Sequence, residues 1–221
     1  MLRQHDRVLW TFAAVFCCAL LIAPAIWNGF PLLQYDTGGY LARWYEGTLV
    51  PSRAVIYGLM LTAGSPIAFW PVLALQAILT AWVIALTLRS HGFGRPLQLV
   101  VTVAILSVTS TLPWLTAILL TDIFCGLAVI ALYLLLMRGE KLSSGECIGL
   151  TVLIAVSAAI HSATLAVLMV LCACAVPLWL IGRVSSSRLA NGLVSLTLGA
   201  TMVFAANAIV ANHLRNIIES A

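Results

Sequence analysis

Charge is what this sequence has least of: 11 lysines and arginines and seven acids make up 8% of 221 residues, against roughly 25% in an ordinary soluble domain. So few charges cannot clothe a water-facing surface, which excludes a soluble globular protein. It also excludes a basic face for nucleic acid. The regular alternation of polar and apolar residues that marks barrel strands is missing too, so a transmembrane barrel is not expected. The six cysteines (Cys17, Cys18, Cys125, Cys147, Cys172, Cys174) lie in or at the edge of apolar runs rather than in loops, and a disulfide framework is not expected. Cys172-x-Cys174 lacks the partners and loop setting of a zinc site. No small-residue cleavage site precedes a soluble region, and the first apolar run, 8–27, is too long for a cleaved leader. It reads as a retained helix.

What is present is 62% hydrophobic residues in long continuous runs. Backbone polar groups cannot stay unpaired in hydrocarbon, so such runs cross a bilayer as helices. The expected fold is all-α: a polytopic transmembrane bundle of about seven helices in a single transmembrane domain over 1–221. Basic residues cluster as Arg3/Arg7, Arg89/Arg95, Arg138/Lys141 and Arg183/Arg188. Each of the last three clusters follows a stretch long enough to leave the membrane and return at about 20 residues per crossing, and by the positive-inside rule all four are cytoplasmic. That orients the N-terminus inside and the C-terminus outside, and the expected location is a bacterial inner membrane. The expected elements are a first helix over 8–27, an external loop over 28–65 whose last part lies along the interface, and a second helix over 66–88. Two hairpins follow over 97–137 and 147–182, then a last helix over 191–212 and a short outer tail. The first hairpin bends at Leu112-Pro113-Trp114 and the second turns near His161-Ser162. Small residues at packing spacing, Ala155/Ala159/Ala163 and Ser195/Gly199, read as helix seams.

The external loop holds most of the polar chemistry. After Gly38-Gly39, Tyr40, Leu41, Trp44 and Tyr45 fall on one helical face and Arg43 and Glu46 on the other, the pattern of a short interfacial helix. Asp36 or Thr37 can cap it. Asp36 can equally act as a general base, or hold a divalent cation near an anionic headgroup. Arg53 and Arg43 stand on the outer side against the charge rule. They suit bidentate phosphate binding, or pair with Glu46 and lipid headgroups. Asp122, at the outer edge of the first hairpin, must face a polar environment or cap a helix. His161, with Ser157 and Thr164 one turn away on either side, is either a buried proton carrier or a histidine in an external turn.

This order of features resembles the start of the GT-C glycosyltransferases. The shared layout is a first-loop acid in Tyr35-Asp36-Thr37-Gly38-Gly39-Tyr40, the basic-aromatic stretch Arg53-Ala54-Val55-Ile56-Tyr57, and a proline followed by a second acid from Pro113 to Asp122. The likeness covers about the first 180 residues. It implies an enzyme that takes a sugar from a polyprenyl-phosphate carrier on the outer face, with Asp36 and Asp122 catalytic, Arg53 and Arg43 on the phosphate, and Tyr57 and His161 accessory. The family often carries an acidic pair where this chain has one acid, and it continues through further helices. A reduced relative, a truncated remnant or one subunit of a larger assembly is therefore expected. The stretches 35–57 and 112–136 also resemble multi-pass membrane proteins of rhizobial bacteria, which implies no activity. The alternatives are a non-catalytic subunit with a membrane-protein partner and, disfavoured by the near-absence of charge within the helices, a transporter component.

Overall fold

A computed structural model describes residues 2–46 and 54–219. Among these the fold is all-α, with eleven α-helices: α1 (Leu2–Leu21), α2 (Ala23–Asn28), α3 (Tyr35–Tyr45), α4 (Val55–Gly64), α5 (Trp70–Ser90), α6 (Pro96–Thr109), α7 (Leu112–Ala117), α8 (Asp122–Arg138), α9 (Ser144–Ile160), α10 (Ser162–Leu180) and α11 (Ser186–Glu219).

Four segments among the described residues are helical, long and apolar enough to cross a bilayer: Trp70–Ser90, Asp122–Lys141, Ser162–Leu180 and Ser186–Ala206. This corrects the expected seven. Residue counts between basic clusters assume unbroken helices, whereas proline and helix-end chemistry divide several runs. α6 stops after 14 residues, about 21 Å at 1.5 Å per residue, because Pro113 cannot continue it. α9 has 17 residues. The run expected over 8–27 is split at Ile22, whose ψ of 12° is not helical, ahead of Pro24 in α2. α1 itself opens on Arg3, Asp6 and Arg7. The second helix begins at Trp70 rather than near Pro66, because Ser65–Ile67 form a 3-10 turn and Ala68 and Phe69 take left-handed φ values of 48° and 64°. Phe69 is braced there by an edge-on contact with Phe30 at 6.3 Å. The last helix runs through to Glu219, so 213–219 form helix rather than a tail.

The chain forms two compact units, residues 1–38 with 61–123, and 39–60 with 124–221. In the first, α1 packs on α5, α6 and α7, and α2 on α7. Its core includes Cys17, Leu21, Ala77, Ala81, Leu99 and Val103. In the second, α9 and α11 pack together most extensively among the described residues. Gly199 and Ala155 of the predicted seam meet there: a Cβ added at Gly199 would sit 2.7 Å from Ala158 Cβ and 2.9 Å from the Ala155 carbonyl oxygen, whereas Ala163 falls outside the seam because the break at His161 puts it on α10. Level with the middle of α8 and α10, Gly192 faces Leu132 and the Cys172 sulfur. All six cysteines are free thiols. α9 starts on the Ser143/Glu146 capping box, and His161 alone joins it to α10, at the predicted turn.

Candidate functional site

Between α7 and α8 the backbone of the first unit leaves the helix and is held by distant residues. α7 is only six residues long, and the carbonyls at its C-terminal end cannot find partners within it. In a chain this apolar each must be satisfied from elsewhere. The Gln76 side chain, fully buried on α5, donates through Nε2 to the carbonyls of Thr116 and Ile118, each at 3.0 Å. Leu32 N–H donates to Ala117 O at 3.0 Å, and Leu119 N–H returns a bond to Leu32 O at 2.9 Å, closing a parallel bridge between Leu32 and Ile118. Thr37 Oγ1 donates to Leu119 O at 3.0 Å. Four consecutive carbonyls, 116 to 119, are thus taken by three donors from two distant segments.

Thr37 does double duty. It is the third residue of α3, and its hydroxyl also accepts the Gln34 N–H at 3.1 Å, the reciprocal half of a capping box. Asp36, next to it, lies half-buried in the first turn of α3, and Asp122 opens α8, exposed, three residues after Leu119. The segments bearing the two expected acids, far apart in sequence, are stitched together one residue from the first and three from the second. Each acid also sits in a first turn, where a helix dipole favours negative charge.

Comparison with protein-family models, characterised proteins and solved structures returned no match for this chain. The site therefore stands on its own geometry.

The remaining expected residues are distributed as follows. Arg53 lies outside the described residues, as does the side chain of Arg43, whose backbone belongs to α3. Tyr57 belongs to the second unit, fully buried, with its ring edge-on to Tyr40 at 4.9 Å and to Phe124 at 6.3 Å. The close approach of α3 and α4 there depends on Gly58, where a Cβ would come within 2.5 Å of the Tyr40 carbonyl. His161, also in the second unit, holds an extended backbone between α9 and α10, and its Nδ1 is 3.1 Å from Thr164 Oγ1. Among the described residues no group of three or more His, Cys, Asp or Glu is placed to hold a metal. A cation at Asp36 or Asp122 would have to complete its shell with water or substrate oxygens, a pattern Mg²⁺ tolerates.

Gln76 was legible only as an amide in an apolar helix and Thr37 only as a cap; their joint role was not. One consequence is measurable. Thr37→Val keeps shape but removes the donor to Leu119 O, leaving a buried carbonyl unpaired at a cost of about 1–3 kcal/mol. Thermal unfolding in detergent should show a lowered midpoint; an unchanged midpoint would mean that water replaces the hydroxyl.

Proposed function

We propose that this chain is a multi-pass bacterial inner-membrane protein that transfers a sugar from a polyprenyl-phosphate carrier at the external face. The observation that carries this reading is the hydrogen-bonded clamp joining the Asp36 segment to the segment before Asp122. In the reaction, an acceptor hydroxyl oxygen attacks the anomeric carbon, the bond from that carbon to the phosphate oxygen breaks, and the polyprenyl phosphate leaves with the electron pair. Asp36 takes the acceptor proton as general base. Asp122 orients the acceptor. The charge that develops on the departing phosphate calls for cations, the role that the resemblance gives to Arg53 and Arg43.

The break between α7 and α8 also bears on the transporter alternative. Transporters use interrupted helices whose freed carbonyls coordinate the transported ion. Here the carbonyls of 116 to 119 are occupied by Gln76, Leu32 and Thr37, which favours a scaffold for loop chemistry over an ion path.

The test is direct: purified protein in lipid vesicles, given a polyprenyl-phosphate hexose labelled in the sugar, is assayed for labelled product and released polyprenyl phosphate. Transfer of label to lipid or glycan acceptors is expected. No transfer, together with a stoichiometric co-purifying membrane protein and tolerance of Asp36→Ala and Asp122→Ala, would replace this reading with that of a non-catalytic subunit.

A further inference from the structure

Three large rings stand bare at one end of the first unit. Trp27, near the end of α2, and Tyr35, the first residue of α3, are each 94% exposed, and Trp114, in the first turn of α7, is 61% exposed. The fold gathers the segments that bear them. α2 packs on α7, and Leu32, shortly before Tyr35, is hydrogen-bonded to both Ala117 and Leu119, shortly after Trp114. The indole N–H groups of Trp27 and Trp114 and the Tyr35 hydroxyl have no hydrogen-bond partner among the described residues. Each ring therefore offers an apolar body and an unused polar tip, the combination that gathers where hydrocarbon meets lipid headgroups. The face of α3 expected to lie there does not do so whole, because Tyr40 is buried against Tyr57.

The rest of the unit is ordered to match. Gln76 ties α7 to the first half of α5, and Arg89 stands in the last turn of the same helix, about 20 Å further along at 1.5 Å per residue. Arg95 follows at the start of α6. Between these two ends, Phe12 and Val15 on α1 and Val101 and Ile105 on α6 are exposed. Bare rings, an apolar waist and a basic end thus succeed one another along one unit. A second protein could cover the rings, but it would not account for that succession; a bilayer does, with the basic end inside.

We infer that Trp27, Tyr35 and Trp114 are seated at the outer headgroup boundary of the bilayer, ring bodies against acyl chains and polar tips among headgroups and water. This sets the depth of the clamp. Asp36 directly follows Tyr35, so its segment is held at the boundary itself. The inference rests on the membrane reading and not on the transferase reading, and it holds whether or not Asp36 is catalytic.

The test uses the full chain with fluorotryptophan in place of tryptophan, reconstituted into phosphatidylcholine and phosphatidylglycerol vesicles and observed by fluorine magnetic resonance. Trp27→Phe and Trp114→Phe, conservative changes at exposed positions, assign the two resonances by their disappearance. A nitroxide carried beside the lipid headgroup should abolish both resonances, whereas one at the end of the acyl chain should leave them. Trp82, past the middle of α5 and half-buried, should show the opposite order. A stronger effect of the chain-end nitroxide on Trp27 and Trp114 would place them in the hydrocarbon. Broadening by a water-soluble agent alone would place them in water, and broadening by no agent would mean that protein covers them. Each of these results, or a Trp82 resonance that responds as the other two do, would overturn the inference.

Discussion

If the proposed transfer reaction holds, Asp36→Asn is expected to lower it by about 10²–10⁴-fold, the usual contribution of a positioned general base, while the protein stays folded. The two effects separate because the amide keeps the shape of the side chain and loses only its basicity. Its structural part, a negative charge in the first turn of α3, is worth about 0.3–1 kcal/mol, too little to unfold the unit. Asp122→Asn behaves differently. A residue that orients the acceptor rather than taking its proton acts through binding, so its loss raises KM for the acceptor more than it lowers kcat. Steady-state kinetics with one labelled donor and varied acceptor distinguishes the two. Equal and modest losses in both variants would assign both acids to helix capping alone, and unchanged lipid-linked products in Asp36→Asn cells would remove the catalytic role altogether.

Gly199→Ala destabilises the second unit by about 1–3 kcal/mol, the cost of overpacking a close interface. The added methyl would lie 2.7 Å from Ala158 Cβ and 2.9 Å from the Ala155 carbonyl oxygen, and neither is the end of a flexible side chain, so α9 and α11 must move apart. In lipid that separation is not opposed by a hydrophobic force, only by lost packing. Ala158→Gly in the same chain should restore part of the loss, because the Ala155 oxygen still obstructs. Gly199→Leu should show no such rescue. Unfolding midpoints in detergent give all three values. A Gly199→Ala protein as stable as the unaltered chain would show that the two helices are free to slide.

The features readable in advance were those whose cause is local. The Arg89/Arg95 turn follows from glycine and proline, and the break near Pro113 follows from a missing N–H and a steric clash. Gly199 and Ala155 of the α9–α11 seam follow from small residues at packing spacing, though Ala163 does not join it, and the turn at His161 follows from the length of the runs on either side. The α7–α8 junction is of another kind. Nothing in Ile118-Leu119-Leu120 forbids a helix, and a local rule would extend one through it. The non-helical path there is maintained by donors from far away in sequence, Leu32, Thr37 and Gln76, and no window of neighbouring residues contains them. The same limitation explains the overcounted crossings: residue totals between charges are blind to where proline and capping cut a run. It also explains the partial view of the site. Asp36 and Asp122 stand out as acids in an apolar chain, but the hydroxyl and the amide that draw their segments together are common residues whose importance lies in what they reach.

That reach sets an order of events when the chain is made. Thr37 and Leu119 are 82 residues apart, so the first segment emerges and waits, its Leu32 amide and Thr37 hydroxyl without partners, until α5, α6 and α7 have been synthesised. Once made, the carbonyls of 116 to 119 have only water to satisfy them until those donors dock, and exposing such groups to lipid costs several kcal/mol each. The short α7 therefore cannot be handed to the bilayer as it emerges, in the way an ordinary crossing can. It stays hydrated or sheltered by the insertion machinery until the waiting segment docks. Pausing synthesis between α6 and α8 would then trap a species whose residues 30–37 remain open to protease, and resumed synthesis would close them.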